Sequence, residues 1–130
     1  MTTDELATPQ DLGRRFGECL AAGDVDGITR LYAADGVVSL PGGREAAGST
    51  AIRAAFVAAL ASGADLSVAS VGTPIITGTL ACTTCVTASG AVLTQVARLE
   101  PDGTWRWVRD GHRLRDVVLG EKEEALIEVA

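Results

Sequence analysis

Aromatic residues are scarce in this chain, at 4% of 130 positions: two tryptophans, two phenylalanines and one tyrosine. Large rings fill cores and pockets at low cost, so each of these five marks a place worth locating. Histidine occurs once, as His112, so any imidazole chemistry near neutral pH must run through that residue. Three cysteines, Cys19, Cys82 and Cys85, are too few for a disulfide framework and suit a reducing compartment. A basic stripe is also missing. The net charge is −6 and the pI about 4.6, which disfavours nucleic acid and anionic membranes as partners. No apolar run approaches the ~18 residues of a membrane span. The start, MTTDELATPQ, is acidic and polar where a signal peptide would be basic and then apolar. A cytoplasmic location is therefore expected.

What is present is ordinary globular material, 47% hydrophobic and 22% charged, much of the apolar share being alanine. The length suits one domain over residues 1–130, burying roughly two-thirds of its unfolded surface. Thr8, Pro9 and the spacing of Leu12, Phe16, Cys19 and Leu20 predict a helix over 8–22, stopped by Gly23. Asp24 or Asp26 caps a second helix carrying Ile28, Leu31 and Tyr32 and ending near Asp35-Gly36. Val37 to Leu40 reads as a short strand before the turn Pro41-Gly42-Gly43. Ser49 or Thr50 caps a third helix through Ser62, with Ile52, Phe56, Val57 and Leu60 as its stripe. Beyond it, residues 66–76, 79–88, 91–99 and 105–118 are rich in Val, Ile, Thr, Leu and Trp. They predict an antiparallel meander with turns at Gly78, Ser89-Gly90 and Pro101-Asp102-Gly103. The tail from Gly120 is either a short helix or a swapped edge element.

Helices first and strands last is the α+β pattern. Three helices laid on a curved antiparallel sheet make a cone with an apolar pocket open at one end, a frequent kind of ligand site.

Three stretches carry a family resemblance: Ala22-Gly23-Asp24-Val25-Asp26-Gly27-Ile28, Leu31 to Val38, and Gly48 to Phe56. With Asp102-Gly103-Thr104-Trp105-Arg106-Trp107 they resemble ketosteroid isomerases and SnoaL-like polyketide cyclases of the nuclear-transport-factor-two-like superfamily. The resemblance covers roughly residues 10–117 and implies the cone fold, homodimers through the open sheet face, and a hydrophobic small-molecule ligand of polyketide or steroid type. It also implies proton transfer beside a carbonyl, using a carboxylate base and an oxyanion hole. Carried over residue by residue, the isomerase tyrosine falls at Phe16, the aspartate base at Leu40 and the second aspartate near Gln95. Ketosteroid isomerase chemistry by that constellation is thus not expected. The implied pocket is lined by Phe16, Tyr32, Val38, Leu40, Phe56, Leu80, Leu93, Gln95 and Val108, with Tyr32 either core or a donor.

Side chains alternate along a strand. An unbroken strand 105–114 places Arg106, Val108, Asp110, His112 and Leu114 on one face, and Trp105, Trp107, Arg109, Gly111 and Arg113 on the other. The resemblance turns Val108, Asp110 and His112 toward the cavity. Asp110 and His112 then form the candidate catalytic acid–base couple, with the alternative that they sit at a wet strand end while the tryptophans pack inward. Tryptophans facing outward would form an apolar patch that a dimer covers; facing inward, they are core. A non-catalytic binding or dimerisation domain is the rival reading.

Cys82-Thr83-Thr84-Cys85 looks like a metal or redox motif. In a strand, however, residues three apart point to opposite faces and lie roughly 10 Å apart at ~3.3 Å per residue, beyond disulfide reach. Gly43 to Thr50 has the outline of a phosphate loop but lacks its lysine. Neither metal nor cofactor is expected.

Overall fold

The computed structural model describes residues 6–128. Its elements run α1 (Pro9–Ala22), α2 (Val25–Thr29), β1 (Tyr32–Ser39), β2 (Glu45–Ala47), α3 (Ser49–Ala61), β3 (Val68–Val71), β4 (Ile75–Thr77), β5 (Leu80–Thr87), β6 (Val92–Leu99), β7 (Trp105–Asp110) and α4 (Glu121–Glu128). The sheet order is β2-β1-β7-β6-β5-β3, with β4 also paired to β5. The α+β class stands. Of the two alternatives for the tail the structure has the helix, α4, and one feature was not expected: a parallel pairing of β1 with β7 that makes the sheet mixed.

Local chemistry explains most boundaries. Thr8 is the N-cap of α1 with Pro9 in the first turn, and Asp11 accepts the Thr8 backbone N–H at 2.9 Å. Gly23 takes φ +67, the left-handed conformation that ends a helix most cheaply when no Cβ is present. Asp24 caps α2 by accepting from the Gly27 N–H at 2.8 Å. That helix is shorter than its apolar spacing suggests, and Tyr32 opens β1 instead. The N-cap of α3 is Gly48, one residue before the expected serine. The stretch expected as one strand over 66–76 is two, β3 and β4, broken at Gly72-Thr73-Pro74, yet both pair with β5. The β5–β6 turn spans three residues, since Thr87 donates to the Ala91 carbonyl at 2.9 Å and Gly90 takes φ +91. At Pro101-Asp102-Gly103, Glu100 donates to the Thr104 carbonyl at 2.8 Å.

A β-bulge decides the interior. In the β6–β7 ladder Val96 faces Arg109 and Ala97 faces Trp107, so Val108 is an extra residue on β7. One inserted residue reverses the alternation beyond it. Trp105, Trp107 and Asp110 therefore all face inward, and Arg109 faces out. The unbroken parity that put the tryptophans opposite Asp110 is corrected here, and both rings are core. The strand also stops at Asp110; residues 111–118 turn instead of extending it.

Four of the five rings meet at the centre. Phe16 of α1, Phe56 of α3, Tyr32 of β1 and Trp107 of β7 lie with centroids 5.3–6.3 Å apart, tilted or edge-on. Such aromatic pairs favour tilted geometries over stacked ones. Leu12, Ile28, Leu31, Ile52, Ala97 and Leu114 complete the packing. Helix α4 lies on α3, and the Arg44–Glu124 ion pair at 2.7 Å ties it to the segment just before β2.

The two glycines inside α1 separate propensity from packing. A Cβ at Gly17 would meet nothing within 4 Å, whereas one at Gly13 would come within 2.9 Å of both Val71 methyls. Gly17→Ala is expected to stabilise the fold by about 0.5–1 kcal/mol. Gly13→Ala is expected to destabilise it, because the stiff Val71 must shift. Urea denaturation of both variants checks the opposite signs.

Candidate functional site

The bulge delivers Asp110 into the middle of the molecule, and the turn after β7 brings Arg113 back beside it. Both are nearly inaccessible, at 1% and 5% exposure. Arg113 Nη1 lies 3.0 Å from Asp110 Oδ2, and Tyr32 Oη donates to the same oxygen at 2.6 Å. Asp110 Oδ1 accepts the backbone N–H groups of His112 at 3.3 Å and Arg113 at 3.2 Å. A carboxylate has about four lone-pair sites, and here all four are taken. Buried charge is tolerated only when paired and hydrogen-bonded in this way.

The guanidinium is also enclosed by rings. Its carbon lies 4.0 Å from the Phe16 centroid and 4.7 Å from that of Trp107, a cation–π arrangement in a desolvated place. Burial opposes the Arg113 charge, but Tyr32 and Asp110 more than offset it, and its pKa is raised. Burial, and then the Asp110 charge, push the Tyr32 phenol well above its ordinary value, so it stays a donor.

Beside this cluster runs a directional chain. Trp107 Nε1 donates to Thr83 Oγ1 at 2.9 Å, and Thr83 Oγ1 lies 3.1 Å from Gln95 Oε1. An indole N–H only donates, so the Thr83 proton is left for Gln95 Oε1. The Gln95 amide nitrogen then faces away from Thr83.

The open concavity lies outside this interior. A groove of about 490 Å³ is bounded by residues 62–66, by the β5–β6 turn and by residues 112–118. Leu66, Leu93 and Val117 supply apolar wall; Asp65, Asp116 and His112 supply polar groups. His112 Nδ1 lies against the Thr94 backbone, 3.2 Å from its N–H nitrogen and 3.4 Å from its carbonyl oxygen, and the ring tautomer decides which of the two it engages. Arg113 borders this groove and also a small internal void, so it is the partition between the two.

The expected lining residues are scattered. Phe16, Val38, Leu40 and Phe56 are closely packed core, not cavity wall. Leu80 is 51% exposed and belongs to the outer face, in the cross-strand row of Arg98. Val108 is the bulge itself. Leu93 borders the groove and Gln95 the void. Tyr32 is bound to Asp110 in the core. Asp110 and His112 come together only through the His112 backbone N–H, not through the imidazole. The interior expected to be an open pocket is filled by the Arg113 side chain. Sequence reasoning missed Arg113 and Thr83. Alternation on a continuous strand put Arg113 on the face of Trp107, and that pairing was the one available signal.

Cys82 and Cys85 are both free; Cys85 is buried and Cys82, on the other face, is half-buried. Among the described residues no group of three or more His, Cys, Asp or Glu is placed to hold a metal ion. None of the described helices is long and apolar enough to cross a membrane.

Tyr32 gives a pH signature. Its folded pKa is raised above the ordinary value of about 10, so its contribution to stability is complete below that pH and is lost as pH rises through the folded value. The single tyrosine is expected to show no phenolate absorbance until far-UV circular dichroism reports unfolding. A phenolate signal at about pH 10 in folded protein would contradict the buried hydrogen bond.

Comparison with known proteins agrees with this geometry. No curated protein matches the chain. Among solved structures, an NTF2-like protein with a cystatin-like fold from Novosphingobium aromaticivorans is 25% identical, with TM-score 0.58 over 91% of this chain and 85% of its own. A ketosteroid isomerase-like protein from Erwinia carotovora is 18% identical, with TM-score 0.60 over 83% of this chain and 94% of its own. A provisionally assigned polyketide cyclase from Sinorhizobium meliloti is 23% identical, with TM-score 0.55 over 78% and 92%. The sequence model of the SnoaL-like domain matches residues 13–117, most of the chain. This protein belongs to the SnoaL-like domain family, within the nuclear-transport-factor-two-like superfamily.

Proposed function

We propose that the protein binds a hydrophobic carbonyl compound, of polyketide-like or steroid-like ring type, in the groove at the open end of the cone. The observation that carries this reading is His112. It borders a groove with Leu66, Leu93 and Val117, and the Thr94 backbone engages Nδ1, so Nε2 is the ring nitrogen left to meet a polar group of a ligand. Asp110 serves this site as a brace: its Oδ1 fixes the backbone of residues 112 and 113. With its four acceptor positions filled, it has no lone pair free to take a proton from a ligand. Any proton transfer beside the ligand carbonyl therefore falls to His112 or to the rim carboxylates Asp65 and Asp116, and a binding protein without turnover fits the filled carboxylate better than an isomerase or cyclase does.

Displacement of Nile red by a panel of cyclic enones and aromatic ketones measures binding, and enone absorbance measures turnover. His112→Ala is expected to weaken displacement about 3–10-fold, the worth of one ordinary hydrogen bond. Unchanged displacement would remove His112 from the site. Turnover of an enone that His112→Ala abolishes would make the protein an enzyme.

The outer sheet face supports a homodimer. Ile75, Leu80 and Val96 are exposed on it, within reach of Arg98, Asp35 and Glu100, whose charges suit a two-fold self-contact. Sedimentation equilibrium is expected to give a dimer that Val96→Asp converts to a monomer. Three free cysteines accord with a cytoplasmic setting for that dimer.

A further inference from the structure

Beneath α1 the interior holds a small void of about 10 Å³, bordered by Pro9, Gly13, Gly72, Thr83, Gln95 and Arg113 among others. That volume matches the space one water centre needs. Two of the bordering residues carry buried donors that meet no acceptor among the described residues: Gln95 Nε2 and Arg113 Nε. Gln95 is 2% exposed, and the Arg113 side chain likewise 2%. Orphaned donors at such depth are rare in native proteins, and each is costly unless something accepts from it. With Thr83 donating to its oxygen at 3.1 Å, the Gln95 amide nitrogen is the end left without a partner.

We infer that this void is a binding site for one internal water molecule, which accepts hydrogen bonds from Gln95 Nε2 and Arg113 Nε together. The chemistry selects a neutral acceptor over an anion. The Arg113 charge is already matched by Asp110 at 3.0 Å, and no second cation borders the void. A water also has protons to give, and the sulfur of Cys85, one of the bordering residues, can accept one. Its structural effect is to join two networks that otherwise stop short of each other. Trp107–Thr83–Gln95 ends on one side of the water, and Arg113–Asp110–Tyr32 begins on the other. The partition between void and groove is thereby held on both of its edges, whatever the groove binds.

High-resolution diffraction from crystals of the full chain, with and without a bromide soak, tests the inference. The expected result is one spherical solvent peak within about 2.7–3.2 Å of both nitrogens, without bromine anomalous signal. A bromine peak there would make the site an anion site, and an empty void, or a peak touching only one nitrogen, would also overturn the inference. In solution, the Arg113 Nε–H is expected to show a cross-peak to a long-lived water that Gln95→Leu abolishes. Its absence in the unsubstituted protein would count equally against the inference.

Discussion

A guanidinium removed from water has to be matched on every side, and the interior of this protein is arranged around that requirement. Arg113 has a carboxylate and a phenol at one edge and aromatic faces against its plane. Separating such a buried pair costs about 3–5 kcal/mol, a large fraction of what holds a domain this size together. The cluster therefore fixes other things: the turn after β7, the orientation of Tyr32, and the position of the wall that carries His112. The groove exists where it does because Arg113 closes the space behind it.

This changes what the cone is for. A related fold can leave its centre open and place titrating groups there; in this chain the centre is occupied by the chain itself, and the accessible concavity is displaced to the rim. Asp110, the one carboxylate buried in the core among the described residues, has become a framework residue. The chemistry within reach of a ligand is correspondingly narrow: an imidazole nitrogen, two rim carboxylates and apolar walls.

Much of this was legible beforehand, and the failures have a common cause. Helix caps such as Thr8 and Asp24, the stop at Gly23 and the turn at Pro101-Asp102-Gly103 act locally, so local reading finds them. The class followed from the order of elements. Tyr32 was assigned to a helix because its spacing from Ile28 is helical; its pairing with β7, far along the chain, overrides that preference. The bulge at Val108 has no residue signature, being a valine among valines, tryptophans and arginines, and it alone inverts which side chains face inward. The opposite faces of Cys82 and Cys85 were legible because β5 is regular where they lie. Alternation is dependable only as far as the ladder is unbroken.

The pairing of β1 with β7 has one more consequence. Tyr32 and Asp110 are 78 residues apart in sequence, and their strands lie side by side in the sheet. Closing so long a loop is entropically costly before any contact repays it, and parallel pairings of this kind form slowly. During synthesis the first strand therefore has no neighbour on that flank until β7 has left the ribosome. Until then that flank of β1 is an unpaired strand edge, the kind of surface that makes a nascent chain prone to wrong pairings.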